Sequence, residues 1–456
     1  MVAELLRQVR VLNPQWGTDQ IADVLIVDGM IGAIQPQITD WPRETQVQDC
    51  QGWVLGPGLW DLYSHGGEPG FEERETLASL LAAAQAGGFT RITLLPDTDP
   101  AVDNPAVLSL FSQKLSRNPA QNCQLQVWGA LTQGVGGTRM TELGELAESN
   151  IVGFADGQPI QDLVLLRRIL EYLNPLNKPI ALACGDRTLA GNGVIREGKD
   201  AICSGLPGIP VYAETAALGA ILELVAGTQT PVHLMGISTA RSVELIQAAK
   251  ARQLPITAST TWMHLLLNTE AISGFPGGEF VGESREEPPR APAQASETTP
   301  FNFIPTPYDP SLRLDPPLGT PTDQRVLIQA VATGIIDAIA VNHTPYTYEE
   351  KTVAFADAPP GAIGLELVLP LLWQELVTSR QWSALTLWQA LSLKPAHCLG
   401  QSLPEMAPGQ PAELTLFNPQ QPWTITPQTL NSRASNTPWL GQPLMGQVVK
   451  TWSISS

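Results

Sequence analysis

Hydrophobic and polar residues alternate in two different patterns along the 456-residue chain. Near both ends, short apolar runs are separated by turn residues, and Asp28-Gly29 between two such runs is typical of a β-hairpin. The apolar runs lie at 5–12, 22–27, 31–34, 412–417, 423–425 and 447–454. We therefore predict that residues 1–53 plus 402–456 come together as one small β domain, a β-sandwich formed by both termini.

The central part of the chain, residues 54–401, alternates short apolar strands with longer stretches of helical periodicity. Strands are predicted at 91–95, 124–130, 151–154, 179–184, 232–234, 256–258 and 338–341. Helices are predicted at 76–86, 160–172, 214–226, 240–252, 323–333 and 364–376. Such repeats form parallel sheets, and their number favours an α/β fold of the (β/α)8 TIM-barrel type. The exception is 274–310, rich in Pro, Gly, Glu and Ser, which we predict to be a long surface loop.

Composition and charge exclude several classes of partner. With 43% hydrophobic and 15% charged residues, the chain is that of a globular protein. Its net charge of -18 disfavours nucleic acids and anionic membranes as partners. No apolar run is long enough to span a bilayer and no signal sequence is visible, so we expect a cytoplasmic protein. The five cysteines are scattered without a CxxC pair, which favours reduced thiols over a thiolate zinc site.

Candidate chemistry is concentrated in the segment 57–70, which reads PGLWDLYSHGGEPG. It is predicted to end a barrel strand, where barrel enzymes place their catalytic groups. Alternation along the strand puts residues 61, 63 and 65 on one side. Two imidazoles at such a spacing would point at one metal ion. The positions hold Tyr63 and His65, so the segment has the outline of a metal site with one ligand replaced.

This segment resembles the opening motif of bacterial dihydroorotases of the amidohydrolase superfamily, PGLIDxHxHxREPG. Further matches are LLPDTDPAVDNP at 94–105 to MPNTxPxxDNP, FADG at 154–157 to FxDDG, MGIST at 235–239 to CHVST, LDPPL at 314–318 to MNPPLR, and VNHTPY at 341–346 to TDHAPH. The resemblance runs almost from end to end. It implies a (β/α)8 barrel descended from enzymes that hydrolyse cyclic amides with metal-activated water in pyrimidine biosynthesis.

The resemblance also implies that most functional groups are replaced. Of the metal-ligand positions, His65 and Asp156 remain, as vestigial ligands, whereas Tyr63, Ala183 and Gly236 stand where the family has His. A catalytic zinc takes about three protein ligands and keeps one position open, so this pair is insufficient. The other replaced positions are Gly67 and Gly319 for Arg, Asp97 and Asp315 for substrate-binding Asn, Asn342 for the general-base Asp, and Tyr346 for His. The loss of two arginines together with the gain of two carboxylates disfavours an anionic substrate.

Two functions stay open at this point. The first is a dihydroorotase-like protein without activity or cofactor, acting as a structural or regulatory partner of aspartate carbamoyltransferase, or associating with itself. The second is a cyclic amidohydrolase with an altered, at most mononuclear zinc site at His65 and Asp156 and a third ligand not identified. Tyr63 is either a new functional hydroxyl or a ring that fills the volume of the absent metal. Structural roles are predicted for Cys184, His233, His264, His343 and His397.

Overall fold

The computed structural model describes residues 2–116, 123–274, 303 and 305–453. Its strands are β1 (Ala3–Asn13), β2 (Thr18–Val27), β3 (Met30–Gln35), β4 (Gln46–Asp49), β5 (Val54–Pro57), β6 (Leu59–Ser64), β7 (Phe89–Leu94), β8 (Gln124–Val127), β9 (Phe154–Ala155), β10 (Ile180–Ala183), β11 (Ile195–Arg196), β12 (Gly208–Ile209), β13 (Val232–Met235), β14 (Ile256–Thr261), β15 (Ala338–Ala340), β16 (Leu414–Thr424) and β17 (Pro443–Trp452).

The helices follow the strands in the order expected of an α/β fold. They are α1 (Leu77–Ala86), α2 (Pro105–Ser116), α3 (Leu143–Glu148), α4 (Leu163–Leu173), α5 (Arg187–Ala190), α6 (Lys199–Ser204), α7 (Tyr212–Thr228), α8 (Ala240–Ala251), α9 (Trp262–Leu266), α10 (Glu270–Ser273), α11 (Pro321–Thr333), α12 (Tyr348–Lys351), α13 (Val368–Leu372), α14 (Ala384–Leu391) and α15 (Leu393–Cys398). Single turns of other helix types lie at Gln133–Val135, Asn174–Leu176, Pro310–Leu312 and Trp373–Thr378.

A closed barrel is formed by two arcs of parallel strands. One arc is β6-β7-β8 and the other is β15-β14-β13-β10-β9. A bridge between Gly129 and Phe154 joins β8 to β9. At the other seam, the Asn342 amide donates to the Tyr63 carbonyl at 3.1 Å and the His65 amide to the His343 carbonyl at 2.8 Å. The eight strands that the described residues supply therefore close into the predicted (β/α)8 barrel.

Local sequence explains why the helices begin where they do. The side chains of Thr76, Asp162, Thr239 and Thr320 accept hydrogen bonds from amides in the first turns of α1, α4, α8 and α11. Each such N-cap satisfies amides that lack an intrahelical partner and is worth about 1 kcal/mol. β6 and β7 are buried along their whole length, so they lack the alternation of a half-buried strand, although polar residues such as Asp61 and Arg91 interrupt their apolar runs.

The two termini form one sheet in the order β17-β16-β5-β1-β2-β3, with β4 beside β1. Its side chains enclose a separate core that includes Leu6, Val24 and Leu416. The predicted barrel with a β-sandwich domain made by both termini is confirmed. The boundary differs: Val54–Pro57 pairs with β1 and β16 rather than opening the barrel. The strand breaks at Gly58, where a Cβ atom would lie only 2.1 Å from the Thr90 hydroxyl oxygen.

Part of the carboxy-terminal region packs on the barrel instead of joining the sheet. The Trp439 ring lies against Trp262 with centroids 5.1 Å apart. The Asn436 amide group donates to the carbonyls of Thr344 at 2.9 Å and Gly361 at 3.2 Å. The predicted β domain at 402–456 therefore includes a segment, around 436–439, that packs on the barrel.

Two further predictions concern the long surface loop and membrane-spanning helices. Most of the proposed surface loop, at 275–302 and 304, lies outside the described residues, so it stays a prediction. Within the ranges that the structure does describe, no helix has both the length and the apolar character needed to cross a membrane.

Candidate functional site

A cavity of about 290 Å³, called the first cavity below, opens at the carboxyl ends of the barrel strands. Its polar lining includes His65, Asp97, His264, Asp315, Asn342 and Tyr346. His65 follows β6, Asp97 follows β7 and Asn342 follows β15, so neighbouring strands deliver these three side chains to one place. The predicted substrate positions Asp97 and Asp315 and the base position Asn342 are therefore brought together with His65.

His65 and Asp97 form a direct pair. The His65 Nδ1 atom lies 2.6 Å from Asp97 Oδ2, and both side chains are about one-quarter exposed. Burial opposes the charged form of His65, but the Asp97 carboxylate outweighs it, with help from Asn342 and Asp315, and leaves the pKa of His65 raised. Burial likewise acts against ionised Asp97, and His65 overcomes it, so the pKa of Asp97 is lowered. Each partner therefore favours the charged form of the other, imidazolium for His65 and carboxylate for Asp97.

Tyr63 occupies the barrel interior. Its side chain is 2% exposed, and its hydroxyl lies 3.0 Å from Ser259 Oγ. The Gly236 amide donates to the same hydroxyl oxygen at 3.0 Å. The ring extends from β6, and its hydroxyl contacts Ser259 on β14 and Gly236 just after β13. Tyr63 therefore spans the barrel. This position fits the space-filling alternative, because Tyr63 is not among the described residues that line the first cavity.

A hydrogen-bonded chain continues from Tyr63. The Ser259 hydroxyl lies 2.9 Å from His233 Nε2, and His233 Nδ1 lies 2.9 Å from Thr257 Oγ1. Burial lowers the pKa of His233 to about 3, so this imidazole is neutral. Burial also raises the pKa of the Tyr63 phenol. The interior is therefore filled by neutral, mutually bonded groups rather than by anionic metal ligands.

Asp61 ties the first barrel strand to the last. Its Oδ1 atom accepts the Val341 amide at 2.7 Å and its Oδ2 atom accepts the Ser64 hydroxyl at 2.5 Å. The Ser64 oxygen in turn accepts the His343 amide at 3.0 Å. Burial raises the pKa of Asp61 to about 7 against these hydrogen bonds. Residues 61, 63 and 65, which were expected to share one face of the strand, thus make three different sets of contacts.

Asp156, the second predicted vestigial ligand, is turned to the segment that follows β8. Its carboxylate accepts the Leu131 amide at 2.7 Å, the Thr132 amide at 3.1 Å and the Thr132 hydroxyl at 2.5 Å. Burial raises its pKa, and these donors oppose the rise. Asp156 does not line the first cavity with His65. Nowhere in the described ranges do three His, Cys, Asp or Glu side chains form a group able to hold a metal ion. The donor set does not fit a catalytic zinc.

Three replaced positions have little room for a side chain. A Cβ atom at Gly67 would lie 2.3 Å from the Glu75 carbonyl oxygen, and one at Gly319 would lie 2.6 Å from Asp323 Cβ. Gly236 has a φ of +61°, and an added Cβ would lie 3.2 Å from Pro316 Cδ. The larger side chains that the family carries at these positions cannot be placed on this backbone without rearrangement.

The remaining histidines have contacts that fit structural roles, with one exception. His264 is bonded to Thr261 Oγ1 at 2.7 Å and to the Pro317 carbonyl at 3.2 Å, and burial lowers its pKa to about 4. His343 accepts the Gly364 amide at 3.2 Å. His397, expected to pack in a helix, is exposed instead. Cys184 is half-buried, and burial raises its pKa, as expected for an inert thiol.

Sequence reasoning missed two features of the barrel mouth. One is the contact between His65 and Asp97. The pairing of Ser64 with Leu94 on adjacent parallel strands would have indicated it, because residues just beyond both strand ends must meet. The other is Arg196, which lies on a strand of only two residues and lines a second cavity. No periodic signal marks so short a strand.

Comparison with known proteins agrees with this architecture. Over 100% of this chain and 97% of the other, the fold superposes on the L-hydantoinase (dihydropyrimidinase) from Arthrobacter aurescens with a TM-score of 0.77 at 18% identity. The dihydropyrimidinase from Brevibacillus agri NCHU1002 gives a TM-score of 0.74 at 18% identity, over 99% of this chain and 94% of that one. The chain therefore has the amidohydrolase fold, a barrel with a β-sandwich domain.

Sequence comparison defines the family more narrowly. A family model described as dihydro-orotase-like matches residues 52–241. A probable dihydroorotase-like protein from Synechocystis is 43% identical, over 97% of this chain and 98% of that protein. A dihydroorotase from Pelotomaculum thermopropionicum is 34% identical, over 97% and 95% of the two chains. The chain belongs to the dihydroorotase-like family, and the resemblance found in its motifs is confirmed.

Proposed function

We propose that this chain is a cytoplasmic, dihydroorotase-like protein of pyrimidine metabolism that has no dihydroorotase activity and acts as a structural or regulatory partner of aspartate carbamoyltransferase. The observation that carries the proposal is the position of Tyr63. Its ring crosses the barrel interior, and its hydroxyl binds Ser259 and the Gly236 amide. Both Tyr63 and Gly236 replace metal-binding histidines of the family, and here they bind each other.

The state of His65 gives the second argument. A metal-ligating imidazole must be neutral, because a protonated nitrogen has no lone pair to offer. Asp97 lies 2.6 Å from His65 Nδ1 and holds the pKa of His65 above its ordinary value. Binding a metal at Nε2 would have to expel the proton that Asp97 stabilises on this imidazole. The residue that looks most like a surviving ligand is therefore biased towards a protonated form that cannot bind a metal.

The group needed for proton transfer is also replaced. Hydrolysis by an activated water requires a group that takes the proton, and a carboxylate does so in many enzymes. Asn342 stands at that position, and a carboxamide cannot act as a base at neutral pH. Its side chain lies beside His65 and helps to raise the pKa of that imidazole. Both halves of the reaction, activation of water and removal of its proton, lack their residues.

The partnership part of the proposal rests on what is retained. The barrel, the seam between β15 and β6, and the terminal sheet are all intact, with buried contacts throughout. The relatives named dihydroorotase match 97% and 98% of this chain over 95% and 97% of their own length. A complete fold without its chemistry supports a role in assembly, and aspartate carbamoyltransferase is the partner that the family resemblance favours.

Two measurements test the proposal together. Dihydroorotase activity is assayed in both directions with zinc added, beside the Pelotomaculum thermopropionicum relative as a positive control. We expect turnover from the relative alone. Sedimentation velocity of the chain mixed with the aspartate carbamoyltransferase of its own organism should show a complex heavier than either component. Zinc-dependent turnover would contradict the first part, and two independent boundaries at micromolar concentration would contradict the second.

One observation favours the second candidate, an amidohydrolase with an altered site. The first cavity is open, with about 290 Å³ of space beside His65, Asp97 and Asn342. An abandoned site could have been filled by larger side chains, and here only the metal position is filled. Screening cyclic amides such as hydantoins and dihydropyrimidines, with and without zinc, tests this candidate. Turnover that disappears in the variant His65→Ala would support it.

A further inference from the structure

The second cavity, of about 170 Å³, lies beside the first on the side of β10 and β13. Both cavities are lined by Arg187, Leu314, Asp315 and Pro360, so the segment at 314–315 separates them. Gly67, where the resemblance places an arginine for the substrate carboxylate, lines the first cavity and not the second. The second cavity therefore extends away from Gly67 and shares only Asp315 with the predicted substrate positions.

Arg196 is the buried charge of the second cavity. Its side chain is 1% exposed, and its Nη2 atom donates to Ser238 Oγ at 2.6 Å and lies 3.5 Å from Glu214 Oε2. Its Nε atom has no hydrogen-bond partner among the described residues. Buried donors are almost always satisfied, and a buried guanidinium needs compensation on more than one side. Arg196 therefore has donor capacity that the protein leaves unused.

The nearest carboxylate is too heavily shared to satisfy Arg196. Glu214 accepts hydrogen bonds from the Ser238 amide at 3.2 Å, the Thr239 hydroxyl at 3.0 Å and the Ser242 hydroxyl at 2.6 Å. Ser238 also donates its hydroxyl to the same carboxylate. Because these donors spread the charge of Glu214, an additional acceptor near Arg196 does not have to displace it.

Other groups around the second cavity favour an anion. Three arginines and three acidic residues line it, but the acidic residues differ in how strongly they would repel a bound anion. Asp186 caps α5, accepting the amides of Thr188 at 2.8 Å and Leu189 at 2.9 Å. Asp315 is exposed and can remain hydrated. The amino terminus of the 17-residue helix α7 also faces this lining through Ala213, which adds positive potential.

The rest of the lining is apolar. Its residues include Ala190, Val194, Ile209, Ala213, Pro316 and Pro317. A fully hydrated inorganic anion would gain nothing from these side chains, whereas a short hydrocarbon body would bury its surface against them. We propose that the second cavity binds a small organic carboxylate, with the carboxylate group at Arg196 and Arg187 and a short apolar body against these residues. The proposal holds whether or not the chain is catalytic.

The full-length protein is tested with butyrate as the anionic probe and butyramide as its neutral counterpart, by saturation-transfer NMR at low ionic strength. We expect saturation transfer to butyrate that titrates with concentration, and none to butyramide at equal concentration. Equal signals from both probes would overturn the proposal, since they would indicate apolar contact without recognition of charge.

Variants separate recognition from folding. Arg187→Gln changes an exposed side chain and should weaken butyrate binding about tenfold or more, the effect of losing a charge-assisted hydrogen bond. Arg196→Gln should abolish binding, while the surface control Arg241→Gln should leave it unchanged. Asp315→Asn should strengthen binding, because it removes a competing negative charge. A gain of affinity cannot come from damage to the fold, so unchanged or weaker binding in Asp315→Asn together with no effect of Arg187→Gln would overturn the proposal.

Discussion

The Nδ1 atom of His65 lies 2.6 Å from Oδ2 of Asp97, and the two residues form an ion pair at the mouth of the barrel. The resemblance assigns His65 to a metal site and Asp97 to a substrate contact, where the family has Asn. The substitution at position 97 is therefore linked to the state of the retained His65. Once the metal is lost, the imidazole can take up a proton, and a carboxylate at position 97 stabilises that charge where an amide would do so less.

The pH dependence of stability should report this pair. Because the folded pKa of His65 is raised, its contribution is complete below its unfolded value of about 6.5 and is lost as pH rises through the folded value. Because the pKa of Asp97 is lowered, its contribution is complete above about pH 4 and is lost as pH falls through the folded value. The pair should therefore stabilise the protein most between about pH 4 and 6.5.

The variant Asp97→Asn tests this expectation. At pH 5 it should lower the free energy of unfolding by up to about 1 kcal/mol, since both side chains are partly exposed. The difference from the parent should shrink above pH 8. Asp40→Asn, at an exposed position, is the matched control and should show no such dependence. A constant difference between pH 5 and pH 9, measured by urea unfolding, would argue against the ion pair.

Tyr63→Phe should destabilise the protein, although the ring itself is kept. The Gly236 amide donates to the Tyr63 hydroxyl at 3.0 Å, and removing that oxygen leaves a buried donor unpaired. The expected loss is about 1–3 kcal/mol in the free energy of unfolding. Tyr348→Phe, at a side chain that is 76% exposed, should cost nothing measurable. Equal stability of the two variants would mean that the Tyr63 hydroxyl does not stabilise the barrel interior.

Gly67→Ala and Gly219→Ala should have opposite effects. A Cβ atom at Gly67 would meet the Glu75 carbonyl oxygen at 2.3 Å, so the backbone must shift, at a cost of about 1–3 kcal/mol. Gly219 lies inside α7 with nothing within 4 Å of an added Cβ. There alanine should stabilise the protein by about 0.5–1 kcal/mol, because it favours the helix. If Gly67→Ala were neutral in thermal unfolding, position 67 could accept the family's arginine after all.

Much of the fold could be predicted because its signals are local. Buried parallel strands are apolar throughout, and their spacing between helices indicates a barrel. The strand Gln46–Asp49 escaped prediction because all four of its side chains are exposed and show no alternation. The helix Pro105–Ser116 was also missed. The break at Gly58 depends on Thr90, which is distant in sequence, and no local pattern reports such a contact.

Individual residues of the candidate site can be predicted from the sequence, but the contacts between them cannot. The motifs indicated which functional groups are replaced, and Tyr63 was considered as a space-filling ring. The orientation of Asp156 could not be inferred, because the one-residue deletion before it leaves its register open, and its carboxylate binds Leu131 and Thr132 instead. Asp97 was assessed as an isolated negative charge. Its neutralisation by His65 depends on which strands are neighbours, a property of the closed barrel.

The central claim is that the barrel mouth does not hold a catalytic metal. Elemental analysis of the protein, purified without chelators and then dialysed against micromolar zinc, tests it most directly. The dihydroorotase from Pelotomaculum thermopropionicum, treated identically, serves as the reference. We predict zinc far below one ion per chain, unchanged in the variant His65→Ala. Stoichiometric zinc that is lost in His65→Ala would contradict the account, because His65 would then be a metal ligand.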